Sequence, residues 1–159
     1  MLPVPLHGWG DVLIHVDPED VFDPDGEHGY TLYPHITVLY GLHFVENPVK
    51  LMLYVDSVCK SVDVEFTGIS IFENEKFDVL KFDVNAPQLI KLHNKVKSKF
   101  KCTVDFENYV PHMTIAFLQK GTGWKYKNLS FSVPKMKIDL MRFTNSDGHE
   151  TLIKLRNGQ

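Results

Sequence analysis

A chain of 159 residues and 18.3 kDa, with 43% hydrophobic and 23% charged residues, can bury a core of its own, and this composition excludes a disordered or fibrous protein. The formal net charge of −3 argues against a protein that tracks a long polyanion, because such proteins carry a basic surface; a phosphorylated substrate is expected to be small. No apolar run approaches about 18 residues, and Met1 to Gly10 show no basic segment leading into an apolar one, so no membrane span and no secretion signal are expected.

Residues 12–16 are predicted to form the first strand. An acidic, turn-rich stretch from Asp17 to Glu27 follows, with Pro18, Pro24, Gly26 and Gly29 in or beside it, and it reads as a surface loop. Residues 36–40 are β-branched and aromatic and predict a second strand. Asn47-Pro48 opens a helix, with Asn as N-cap, Pro at the first helical position, and Met52, Val55 and Cys59 on the apolar face. Residues 64–71 and 79–84 predict a strand pair; in the second, Leu80, Phe82 and Val84 alternate with Lys81 and Asp83, the mark of a half-buried strand. Asn85-Ala86-Pro87 opens a second helix with Leu89, Leu92, His93, Val96 and Phe100 on one side. Lys95, Lys97, Lys99 and Lys101 lie toward its C-terminal, negative end. Strands are expected at 113–118, 129–133, 136–143 and 151–155, with Ser146-Asp147-Gly148 as a turn. The two cysteines, Cys59 and Cys102, do not make a staple framework; the expectation is buried thiols in a reducing cytosol, with a single disulfide as the alternative.

This order falls into two similar α+β halves. One is centred on Pro34-His35-Ile36-Thr37 and the other on Pro111-His112-Met113-Thr114, separated by 77 residues (from 35 to 112). By composition, two such matches among the histidines arise by chance about 2 times in 10,000, which ranks the pair above every other feature of the chain. On a strand, residues i and i+2 share a face, so His35 projects with Thr37 and His112 with Thr114. If the halves pack side by side, two imidazoles and two hydroxyls meet. One imidazole can take a proton from the attacking oxygen and the other can protonate the leaving oxygen, while the hydroxyls hold the phosphate oxygens. The competing reading is a zinc site from His28, His35 and His112, although no Cys-x-x-Cys or His-Glu-x-x-His spacing accompanies it.

The paired motifs resemble those of the 2H phosphoesterase superfamily. That superfamily includes 2′,3′-cyclic phosphodiesterases, RNA 2′-5′ ligases and the small phage anti-CBASS enzymes that destroy cyclic nucleotide alarm signals. The resemblance covers the element order of nearly the whole chain, and in residue identity only the motifs and their strands. It implies an α+β, bilobal, duplicated fold over residues 1–159 as one domain. Two antiparallel sheets would line a central cleft, with helices outside. His35 and His112 would be the catalytic pair and Thr37 and Thr114 the phosphate binders. No metal or other cofactor is implied.

Other residues are weaker candidates. Tyr40, Tyr109 and Trp124, along with Phe44 and Phe117, offer aromatic faces on which a nucleobase can stack, although packing is the commoner fate of each. Lys120, after the second motif strand, is a candidate phosphate contact beside the commoner reading of a solvated loop lysine. His28 and Tyr30 sit in a Gly-bracketed loop that could act as a lid or simply be surface.

The resulting expectation is a cytoplasmic, metal-independent phosphodiesterase for a small cyclic nucleotide or cyclic oligonucleotide, with a viral counter-defence enzyme as one form. It needs no cofactor and no membrane, and a long nucleic acid is not its partner. The alternatives are a 2′,3′-cyclic phosphodiesterase or ligase-like enzyme acting on RNA ends or ADP-ribose, and a non-catalytic nucleotide-binding module.

Overall fold

A computed structural model describes residues 1–3, 16–26, 29, 31, 34–42, 45, 47–103, 108–129 and 135–155. The strands expected at 12–16 and 129–133 lie almost wholly outside these residues, as do His28, Tyr30 and Phe44.

Six strands form one antiparallel sheet: β1 (Leu2–Pro3), β2 (His35–Ile36), β3 (Val62–Glu73), β4 (Phe77–Asn85), β5 (His112–Gln119) and β6 (Met136–Ile138). Their spatial order is β1-β2-β5-β4-β3-β6. A separate two-stranded sheet pairs β7 (Leu140–Thr144) with β8 (Glu150–Lys154). Two helices, α1 (Pro48–Val58) and α2 (Pro87–Lys99), complete an α+β fold.

Local chemistry accounts for the elements. At α1 the Asn47 side-chain oxygen accepts the Val49 N–H at 3.0 Å, and Pro48 occupies a position whose missing donor costs nothing. Along α2, Leu89, Leu92, His93 and Val96 recur at helical spacing and all are buried. Gly148 turns the β7–β8 hairpin at φ 82°, a left-handed conformation that favours glycine. The stretch 136–143, expected as one strand, is two: β6 pairs with β3, β7 pairs with β8, and the chain changes sheets at Asp139. The Asp139 carbonyl instead accepts the Leu155 N–H at 2.6 Å.

The central sheet has one apolar face. Ile36, Met113 and Phe82 lie side by side on β2, β5 and β4, and each is 0% exposed. They join a core with Leu51 and Val55 of α1 and Leu89, Leu92 and Val96 of α2. This packing corrects the expected architecture. The two motifs do not face one another from separate sheets; they lie on β2 and β5, neighbours in one sheet, because Ile36 and Met113 pair to reach the same core.

No helix among the described residues is long and apolar enough to cross a membrane. Cys59 is buried, Cys102 is half-buried, and no disulfide joins them.

Candidate active site

Pairing of Ile36 with Met113 fixes what happens on the opposite face. In an antiparallel pair, residues opposite one another point the same way. Continuing the register by one residue in each direction sets His35 beside Thr114 and Thr37 beside His112. The four motif side chains thus form a compact square on the polar face. His112 is exposed, while His35, Thr37 and Thr114 are half-buried. His35 and His112 stand on a diagonal of this square, about 7–8 Å apart, a span from which two imidazoles can reach one small group from two sides. The Thr114 hydroxyl has no hydrogen-bond partner among the described residues, which leaves it for a ligand.

The first motif strand is shorter than the expected 36–40, ending at Ile36. Beyond it, side chains bond the backbone where a neighbouring strand would. The Tyr109 hydroxyl donates to the Thr37 carbonyl at 2.6 Å, and His93 of α2 donates its Nδ1–H to the Val38 carbonyl at 2.7 Å. The two rings stack at 4.2 Å, nearly parallel at 3°. Burial pushes the Tyr109 hydroxyl well above its ordinary range, which keeps it protonated as a donor. Tyr109, expected as a stacking face for a base, is therefore engaged with His93 and the motif backbone.

In the second motif, His112 donates its Nδ1–H to the Val110 carbonyl at 3.0 Å. A carbonyl only accepts, so Nδ1 carries the proton and Nε2 is the atom through which His112 can exchange one.

Sequence reasoning assigned Lys81 and Asp83 only to the solvent side of a half-buried strand. The structure makes that side the motif face. Lys81 pairs with Thr114 and Asp83 with His112, while on the other flank Ser70 of β3 pairs with Lys81 and Gly68 with Asp83. Two polar rows result: His35, Thr114, Lys81, Ser70, and Thr37, His112, Asp83, Gly68. A register shift in the β4–β5 pairing produces this alignment. Leu80 pairs with Ala116, yet Lys81 pairs with Thr114, so Ile115 is the extra residue of a bulge. Without it Thr114 would oppose the buried Phe82.

The other candidates divide between the motif and the far end of β5. Tyr40 is near the motif: the Thr37 hydroxyl donates to its hydroxyl over a long 3.3 Å, and its ring is 58% exposed. Gly41, with φ 77°, turns the chain immediately after it. Thr37 and Tyr40 also edge a groove of about 500 Å³ with Leu51, Val55, Leu92 and Val96 among its lining. Lys120 and Trp124 are not brought to the motifs. They follow the far end of β5, roughly 23 Å along the strand from His112 at about 3.3 Å per residue. There the Lys120 ammonium lies 3.7 Å from Asp78 Oδ1. The Oδ2 of Asp78 accepts the Gly121 and Gly123 N–H groups at 2.9 and 3.0 Å. Trp124 is 70% exposed on a short 3₁₀ turn. Phe117 packs on Phe77 towards the same end, with ring centroids 5.4 Å apart.

The acidic stretch also reaches this end. Asp20 accepts from Lys125 Nζ at 3.1 Å and from the Tyr126 hydroxyl, and Phe22 N–H donates to the Phe117 carbonyl at 2.9 Å. Among the described residues no three His, Cys, Asp or Glu side chains gather into a group that could hold a metal ion.

The geometry gives two imidazoles, three hydroxyls, one carboxylate and one ammonium on a single face. That inventory suits phosphoryl chemistry, with proton donors and acceptors beside hydrogen-bond donors for anionic oxygens. No curated protein matches the sequence. The family model described as the 2′-5′ RNA ligase superfamily matches residues 22–124, a range that holds both motifs, both helices and strands β2 to β5. That is more than half of the 159 residues, and the chain belongs to the 2′-5′ RNA ligase superfamily, the superfamily of the 2H phosphoesterases.

Proposed function

We propose that this protein is a metal-independent phosphodiesterase that cleaves a small cyclic nucleotide or cyclic oligonucleotide, with His35 and His112 as its catalytic pair. The observation that carries the reading is the register Ile36 to Met113, which sets both histidines and both threonines on one face. Water attacks phosphorus and its proton passes to one imidazole. The ester P–O bond breaks, and the leaving oxygen takes a proton from the other imidazole, present as imidazolium. His112 acts through Nε2, since Nδ1 is bound to Val110. Thr37 and Thr114 donate to the non-bridging oxygens as charge develops there. Tyr40 is the proposed aromatic contact for the base, from its exposed place beside Thr37.

The family description favours a second reading with the same machinery, a 2′,3′-cyclic phosphate at an RNA end or on ADP-ribose, or the reverse, ligating direction. Both motifs are intact, which argues against a binding module that has lost its chemistry. The proposed compartment is the cytoplasm, on the strength of two cysteines that are not joined in a disulfide. Residues 1–159 are proposed to act as one domain of two related lobes, with Pro-His-x-Thr repeated in each. A viral counter-defence role rests on the resemblance to the phage enzymes.

The test is incubation with 2′,3′-cyclic mononucleotides, 3′,5′-cyclic di- and trinucleotides and 2′-5′-linked oligoadenylates, with and without excess EDTA. The expected result is chelator-resistant cleavage of a small cyclic substrate. No cleavage across the panel, or activity lost to EDTA and restored by zinc or manganese, would sink the proposal.

A further inference from the structure

We infer that Lys81 is an anion-binding residue of the motif face, and that Ser70 and Asp83 are the positioning residues that aim its ammonium at the substrate phosphate. This rests on the reading of that face as a phosphodiesterase site.

The argument begins with an unusual lysine. Most lysines reach into water, but the side chain of Lys81 is only 18% exposed. It lies in the middle of the sheet, between Thr114 on β5 and Ser70 on β3. Its ammonium donates to Ser70 Oγ at 2.8 Å and to Asp83 Oδ1 at 3.1 Å. Ser70 in turn donates to the same Asp83 oxygen at 2.7 Å. The three groups make a closed triangle that fixes a side chain with four rotatable bonds.

Fixing the ammonium matters because of where it is held. Asp83 pairs with His112 and Lys81 pairs with Thr114. With adjacent strands about 4.8 Å apart, the charge stands within reach of any phosphate that touches both motif side chains. An ammonium has three donors, and two are engaged. The third has no partner among the described residues. A phosphodiester carries one negative charge over its two non-bridging oxygens, and neutral hydroxyls from Thr37 and Thr114 do not balance it. Beside the imidazolium of the catalytic pair, Lys81 brings those oxygens a second cationic donor, itself ion-paired to Asp83. Lys120, the cation singled out from sequence, stands at the other end of β5 beside Asp78 and Glu73.

A purely structural ion pair would hold β3 and β4 together and be indifferent to anions, so the test reads anion binding and not turnover. Inorganic phosphate is titrated into full-length protein labelled with ¹³C-lysine, against sodium chloride at matched ionic strength. The Lys81 Cε–Hε signal is assigned with Lys81→Arg. A saturable shift of that signal with phosphate, absent with chloride, is expected. Lys81→Met should raise the phosphate dissociation constant by about ten- to a hundredfold, the range of a hydrogen bond to a charged group. Ser70→Ala, which keeps the charge but loosens its hold, should fall between. A Lys81 signal indifferent to phosphate, or a folded Lys81→Met that binds phosphate within twofold of wild type, overturns the inference. The wild-type titration decides the matter even if Lys81→Met does not fold. Phosphate binding through Lys81 without cleavage of any phosphodiester would sink the proposed function and leave this inference standing; the reverse outcome would do the opposite.

Discussion

The Val110 carbonyl oxygen accepts from His112, and that contact holds the ring proton on Nδ1 and leaves Nε2 as the nitrogen that can exchange one. This level of detail is invisible in a sequence, whereas the identity of the residue is not. His35, Thr37, His112 and Thr114 could be picked out because i and i+2 share a face on any strand, and Ile36 and Met113 between them had to be buried. Lys81 and Asp83 could be placed on a solvent side but not on the motif side, since alternation within β4 says nothing of its neighbours.

Asp20 illustrates a charge whose role is structural. The Tyr126 hydroxyl, then Lys125, hold its carboxyl below the usual carboxylate value of 3.8, against the opposing effect of burial. The Tyr126 hydroxyl itself is pushed up to about 12 by burial and by Asp20. A carboxylate with a depressed folded pKa contributes stability above its unfolded pKa, and loses it as pH falls through the folded value. Tyr126→Phe removes the largest cause of the shift. We expect this variant to melt below wild type at pH 7 and the gap to narrow as pH falls through the acid range and Asp20 takes up a proton. A gap that stays constant in melting curves over that range would contradict the assignment.

At the scale of elements, the segment just after the first motif strand is held by side chains where a ladder would ordinarily serve. Tyr109 and His93 bond the carbonyls of Thr37 and Val38, so a loop residue and a helix residue together aim the motif. Tyr109→Phe keeps the stack on His93 and deletes one bond. The expected cost is about 1 kcal/mol of stability, typical of a net hydrogen bond, with a severalfold loss of turnover as Thr37 shifts. Thermal melts and steady-state kinetics check both; unchanged values for each would mean that the contact does not position the motif. Helix starts were legible because Asn47 and the prolines at 48 and 87 carry their own chemistry. The early end of β2, the bulge at Ile115 and the change of sheet at Asp139 were not, because each depends on which strand lies alongside.

Across the whole molecule, charge is divided between two ends of β5. Asp17, Glu19 and Asp20 stand with Lys120 and Lys125 at one end, and the motif square with Lys81 stands at the other. The acidic stretch, read from sequence as a surface loop, has its Asp20 anchored at the end of β5 away from the motifs. Small-substrate preference therefore rests on how few cations the face presents, not on repulsion. Among the described residues the face carries one lysine, ion-paired to Asp83, so binding should release no more than about one counterion. The logarithm of kcat/KM against the logarithm of salt, over about 50 to 200 mM, should then slope by about −1 or less for a cyclic dinucleotide. A slope of several, with an RNA oligomer cleaved better, would move the substrate to RNA ends.

The central claim is that His35 and His112 work as one acid–base unit. It is tested most directly by the turnover of His35→Ala, His112→Ala and the double variant on the best substrate of the panel, with melting curves to show that each is folded. General acid–base groups are typically worth about 10²–10⁴-fold, and members of one unit are not additive. The account predicts that each single variant falls by at least about a hundredfold and that the double variant falls little further. A folded single variant that retains more than about a tenth of wild-type turnover would contradict it.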